Sequence, residues 1–139
     1  MNGQQAMHEG DKVTMFGEEF EVISVYTRKQ AIEDGVLVDL SGLFPNDTRI
    51  YKYPVACTMT VWGMIEDACE RTREDAGAYV WDLCWMSANM MAVVKDDGDM
   101  RLFRCAIPLG GKAKLFKVVV GPGDDGVEPV ITIMMPDED

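Results

Sequence analysis

Alternating apolar and polar side chains mark strands in this chain, and apolar residues three and four apart mark two long helices. From Lys114 onward the chain reads KLFKVVVGPGDDGVEPVITIMMPDED. Two β-branched runs flank a loop of Gly, Pro and Asp, so the spacing predicts a hairpin with strands at Ala113–Val120 and Val130–Met135. Met100–Ile107 reads as a further strand, stopped by Pro108 and a Gly110-Gly111 turn. Upstream, Glu19–Tyr26 alternates through Phe20, Val22, Ser24 and Tyr26, and its apolar second half predicts a place near the centre of a sheet. Asp11–Gly17 offers a shorter strand with Val13 and Met15 on one side. Thr27 is an N-cap residue for a short helix over Arg28–Asp34, which Gly35 ends with a positive φ. Val36–Leu40 follows as a strand and Ser41–Tyr53 as a loop.

Pro54 announces the first long helix, capped by Thr58 or Thr60. Val61, Ile65, Ala68, Cys69 and Thr72 share one face, with Glu66, Asp67, Glu70, Arg71, Arg73, Glu74 and Asp75 elsewhere. Gly77 separates this helix from a second, Tyr79 to about Val94, whose apolar residues surround it and predict burial against the sheet. Asp96, Asp97, Gly98 and Asp99 then form a turn. The expected fold is α+β: an antiparallel or mixed sheet of about five strands, packed against two main helices and one short one. Residues 1–12 are expected to be a flexible leader and residues 13–139 one domain.

Charge narrows the function classes. With 24 acidic residues against 13 basic ones the chain carries −11, which repels nucleic-acid backbones. A direct DNA or RNA binder needs a basic stripe, and Lys112, Lys114 and Lys117 are the nearest approach to one. No leader of signal type and no apolar run of membrane length occurs, so a cytoplasmic location without membrane contact is expected. The cysteines Cys57, Cys69, Cys84 and Cys105 form no Cys-x-x-Cys pair and read as buried reduced thiols. Most of the 11 methionines read as adaptable core filler.

The catalytic inventory is thin. His8 is the one histidine and sits in the polar leader, which leaves few routes to nucleophilic hydrolysis or His-based metal chemistry. Glu33 with Asp39 is a carboxylate pair of the kind chance supplies among so many acids. Gly121-Pro122-Gly123-Asp124-Asp125-Gly126 has an anion-nest composition, but Asp124 and Asp125 put negative charge where a phosphate would sit. Asp-Gly instead supplies what a hairpin turn needs, and Asp124, Asp125 and Glu128 match no EF-hand spacing. No cofactor, metal or catalytic residue is assigned.

Two binding readings remain. Carboxylates on a rigid helix (Glu66, Asp67, Glu70, Glu74 and Asp75), joined by Asp124, Asp125 and the tail Asp137-Glu138-Asp139, would imitate a phosphate backbone and enter a basic groove on a partner. The alternative is a nucleotide or small-molecule module in which Arg28, Arg49, Arg101 and Arg104 clamp phosphate. Trp62, Trp81 and Trp85 serve as core or as interface anchors, and Trp81 and Trp85 share one helix face.

Four stretches carry a family resemblance: YTRKQAIEDGVLVDL (Tyr26–Leu40), YPVACTMTVW (Tyr53–Trp62), WDLCWM (Trp81–Met86) and VGPGDDGVEPVITIMMPDED (Val120–Asp139). They resemble a family of small uncharacterised proteins of bacterial plasmids, phages and integrated mobile elements, with the extra residue Val127 as a departure in the hairpin. The resemblance brings no established activity. It implies a setting in which small acidic proteins block host defence machinery, so the expected partner is a host protein or nucleoprotein defence complex of CRISPR or restriction type, with a basic groove.

Overall fold

The computed structural model describes residues 12–15, 18–21, 26–89 and 99–138. Its centre is a five-stranded sheet: β3 (Leu37–Asp39), β4 (Val55–Thr58), β7 (Pro129–Met134), β6 (Ala113–Pro122) and β5 (Met100–Ala106), in that spatial order. Only the β4–β7 pair is parallel, which makes the sheet mixed. A separate hairpin joins β1 (Lys12–Met15) to β2 (Glu18–Glu21), with Val13 opposite Phe20. Of the strand expected over Glu19–Tyr26 at the sheet centre, β2 holds only Glu19–Glu21 and pairs with β1 alone among the described residues, while 22–25, the apolar part that suggested a central place, lies outside them. Three of the four β2 residues are glutamates, a composition that disfavours a central position. The expected leader, His8, the middle of that strand, the last turn of the second long helix and most of the turn at Asp96–Asp99 lie outside the described residues.

Helix α1 (Arg28–Glu33) starts where the sequence places it. The Thr27 hydroxyl accepts from the Gln30 N–H at 3.0 Å, and the Gln30 side chain accepts from the Thr27 N–H at 2.9 Å. That reciprocal pair satisfies donors that a helix start leaves open. Gly35 ends the turn at φ 79°. The next strand stops earlier than expected, because Asp39 caps the short helix α2 (Leu40–Leu43) by accepting from the Gly42 N–H at 3.1 Å.

The larger departure is β4, in a stretch expected to be only the approach to a helix. All four of its residues are buried, so neither face shows the alternation that reveals a half-exposed strand. Thr58 ends β4 and also caps α3 (Met59–Thr72), accepting from the Val61 N–H. Arg73 stops that helix in the left-handed region at φ 61°. The expected break at Gly77 moves accordingly, since α4 (Ala76–Asn89) already contains that glycine.

The two long helices cover one face of the sheet, as expected. Val61, Ile65 and Ala68 of α3 join Val80, Leu83 and Cys84 of α4 in one core with Val55, Cys57, Phe103, Phe116, Val118, Ile131 and Ile133. Phe103 and Phe116 stand opposite each other across β5 and β6, with ring centroids 5.7 Å apart. Thr132 lies between two core isoleucines on β7 and so faces the other side, where the Arg28 guanidinium donates to its hydroxyl at 2.7 Å. Helix α1 therefore occupies the opposite face. Among the described residues no helix is long and apolar enough to cross a membrane.

Tyr79 ties three parts of this arrangement together. It is 1% exposed, its hydroxyl bonds the Thr72 hydroxyl at 2.8 Å, and it accepts from the Leu109 N–H at 3.0 Å. The end of α3, the start of α4 and the loop after β5 thus meet at one oxygen. Tyr79→Phe leaves the part-buried Leu109 N–H without its acceptor and is expected to cost about 1 kcal/mol. Chemical denaturation with the slope held as a control on compactness checks this; an unchanged midpoint removes Tyr79 from that role.

Candidate protein-binding surface

Helix α3 buries one stripe and leaves the other in water, so its carboxylates are presented on a fixed frame. Glu66, Asp67 and Glu70 are exposed on it. The Asp67 carboxylate pairs with Arg71 one turn on, at 3.1 Å, in an exposed contact of small energetic weight. Glu74 and Asp75 were expected to prolong the row along the helix. They stand instead in the linker between α3 and α4, because Arg73 has already turned the chain.

That turn gathers the charges at a corner. The half-buried Cys69 thiol is pushed up in pKa first by burial, then by Asp75, Glu66 and Glu74. Asp82, half-buried on α4, has its carboxyl raised by burial and next by Glu74. Glu74 therefore acts on both Cys69 and Asp82, and the carboxylates of Glu66, Glu70, Glu74 and Asp75 accept no hydrogen bond among the described residues.

Asp124 and Asp125 do not belong to this surface. Asp124 accepts from the N–H groups of Arg28 at 2.8 Å and Lys29 at 3.0 Å, capping α1 on the opposite side of the sheet. Asp125 accepts from the N–H groups of Val127 and Glu128, which hold its carboxyl below the ordinary range. Both serve the β6–β7 turn and its neighbour, and Gly126 supplies the positive φ at 71°. Val127 projects from that turn 82% exposed, while the register through Pro122 and Pro129 stays intact.

The tail is engaged as well. The Glu138 carboxylate accepts from the Thr58 hydroxyl and the Met135 N–H, each at 2.8 Å, and from the Thr60 hydroxyl at 3.2 Å. Lys117 donates to its backbone carbonyl. Glu138 thus sits at the start of α3, where a negative charge is stabilised.

The four arginines do not converge. Arg28 donates to Thr132 and to the Ile131 carbonyl under α1; burial lowers its pKa, and Asp39 and Asp124 oppose that. Arg49 lies over the Trp81 ring, 5.4 Å from its centroid. Arg101 and Arg104 are exposed on β5, opposite Val118 and Leu115, and three residues apart they face opposite sides of the sheet. Of the four, Arg28 alone borders the groove of about 800 Å3 between α1, β3 and the start of α3. Its other walls include Val36, Met59, Met134 and Glu138, a feature assembled from distant segments and unsignalled in the sequence. No group of three or more His, Cys, Asp or Glu side chains placed to hold a metal occurs among the described residues.

The tryptophans divide. Trp62 packs against the core near Phe44. Trp81 and Trp85 stack at 6.0 Å with 21° between their planes, and Trp85 is 47% exposed. Their four-residue spacing was a usable signal; the partnership of Trp81 with Arg49 was not, since the two are joined only by the fold.

Two measurements test the charges around Cys69 and Asp82. Cys57, Cys84 and Cys105 are buried with thiols pushed up to about 12, so Cys69 is the expected site of alkylation in the native protein at pH 8. Replacing Glu66, Glu74 and Asp75 by their amides is expected to speed its modification by about two- to fivefold at low salt. An unchanged rate places those charges too far away. For Asp82, a raised carboxyl means that the folded state binds the proton more tightly than the unfolded one. Its contribution is most favourable in acid and is lost as pH rises through the raised value. Asp82→Asn is therefore expected to raise Tm at pH 7 and to give no gain near pH 3, and equal shifts at both would contradict the assignment.

Comparison with protein-family profiles, with curated proteins and with solved structures finds no match to this chain.

Proposed function

We propose that this chain is a non-enzymatic binding protein of a phage or mobile element, which inhibits a cytoplasmic host defence complex of CRISPR or restriction type by occupying its basic groove. One observation carries this reading: Glu66, Glu70, Glu74 and Asp75 stand exposed on α3 and its corner without compensating partners among the described residues. Carboxylates held on a rigid element resemble a phosphate backbone in sign and in spacing of a few ångströms, so a groove that neutralises phosphates also neutralises them. The resemblance to mobile-element proteins supplies the setting, and the net charge of −11 supplies long-range attraction to a basic surface.

The test is binding to purified nucleic-acid-processing effectors, with reversal of Glu66, Glu70 and Glu74 to Lys. Affinity is expected to fall by at least about tenfold, a loss of roughly 1.4 kcal/mol. Binding by the unaltered chain is expected to weaken with salt and to compete with the effector's nucleic acid. Absent affinity, or affinity indifferent to charge reversal, defeats the reading.

A further inference from the structure

Beside the acidic corner lies a surface made of different chemistry. A cavity of about 480 Å3 opens between the loop before β4 and the first turns of α4, lined by Asp47, Arg49, Trp81, Asp82 and Leu109 among others. Leu109 is 52% exposed there, and Trp85 continues the aromatic surface one turn along α4. From these contacts we infer that this surface docks an arginine-bearing segment of the partner protein, with one guanidinium stacked on Trp85 and paired with Asp82. The inference rests on the reading of the chain as a binder of basic partners and names a second anchor for it.

The molecule contains a prototype of the contact. Its own Arg49 lies over Trp81 at 5.4 Å, and Trp85 repeats that ring nearly parallel at 6.0 Å. Among the described residues no cation covers Trp85, although nearly half of it meets solvent. A guanidinium from outside would extend the series of guanidinium, indole and indole by one more plane. Asp82 lies three residues before Trp85 and so shares its helix face, which places a carboxylate beside the ring. Asp47 and Arg49, both at the cavity wall, offset each other in charge, which leaves the Asp82 carboxylate in excess there. A ring quadrupole and a carboxylate together favour a cation, and a planar guanidinium stacks on indole better than a compact, strongly hydrated ammonium does. Arginine is therefore the expected residue, in preference to lysine.

The probes are two labelled hexapeptides, alike except that one carries two arginines and the other two lysines, titrated against the full chain by anisotropy. The arginine peptide is expected to bind at least about threefold more tightly. Trp85→Ala is expected to weaken it about tenfold and Trp85→Phe less, because a smaller ring keeps part of the interaction. Reversal of Glu66 and Glu70 is expected to change its affinity by no more than about twofold at 0.15 M salt, since salt screens exposed charges and Glu74, not Glu66 or Glu70, is the carboxylate that acts on Asp82. Equal affinity for both peptides, or no loss in Trp85→Ala with its fold intact by circular dichroism, overturns the inference. Trp85→Ala is also carried through the effector assay. If effector binding survives it but fails on carboxylate reversal, the second anchor is wrong and the groove reading stands. Loss in both variants supports the two together.

Discussion

The parallel pairing of β4 with β7 is the constraint on which the rest of the structure depends. Val55 and Cys57 lie beside Ile131 and Ile133, and the carbonyl of Pro54 accepts from the Ile131 N–H at 2.8 Å. Four buried residues thereby join β3, α1 and α2 to the meander of β5, β6 and β7. A parallel pair needs a long crossover, and here it holds α3, α4, β5 and β6, so most of the domain is closed by this one contact. Thr58 links it to the surface chemistry: it ends β4, caps α3 and donates to Glu138. The direction in which α3 presents its carboxylates is set inside the sheet.

The acidic residues fall into two populations. Asp39, Asp124, Asp125 and Glu138 accept from backbone N–H groups at helix starts and turns, and Asp34 accepts from the Tyr26 hydroxyl. Those charges are part of the fold, and the first four replace water at backbone donors that secondary structure leaves open. Glu66, Glu70, Glu74 and Asp75 satisfy nothing of the kind among the described residues. Net charge alone does not separate the two populations, because the distinction is one of partners.

What the sequence revealed follows the same division. Short-range chemistry was legible: Thr27 as the cap of α1, Gly35 after it, the Asp-Gly turn between β6 and β7, and the stop after β5 all act within a few residues. The apolar stripe of α3 was legible too, and with it the exposure of Glu66 and Glu70. Features made by distant segments were not. β4 lacks alternation because both of its faces are buried, and its neighbour Pro54 disguised it as an approach to a helix. Asp124 and Asp125 read as free surface charge, since the α1 donors that Asp124 meets are nearly the whole chain away. Arg73 at the end of α3 hid behind Gly77, because a glycine is the ordinary sign of a left-handed residue.

Charge placement in this fold runs against what stability alone would favour. Like charges four apart on a helix cost a few tenths of a kcal/mol, and Glu66 and Glu70 are such a pair. Cys69 and Asp82 are raised in pKa first by burial and then by neighbouring carboxylates, Glu74 among them in both cases. Cations were available to offset these carboxylates, since the stretch between Asp99 and Asp124 holds Arg101, Arg104, Lys112, Lys114 and Lys117 with no carboxylate among them. They lie on β5, β6 and the loop between them, and none forms an ion pair with the carboxylates of that corner among the described residues. A surface shaped only for solubility gains by mixing signs. Arg71 and Arg73 offset part of the charge where α3 meets α4, yet Glu66, Asp67, Glu70, Glu74 and Asp75 outnumber them, and the net negative corner that results suits the proposed basic partner while folding has no need of it.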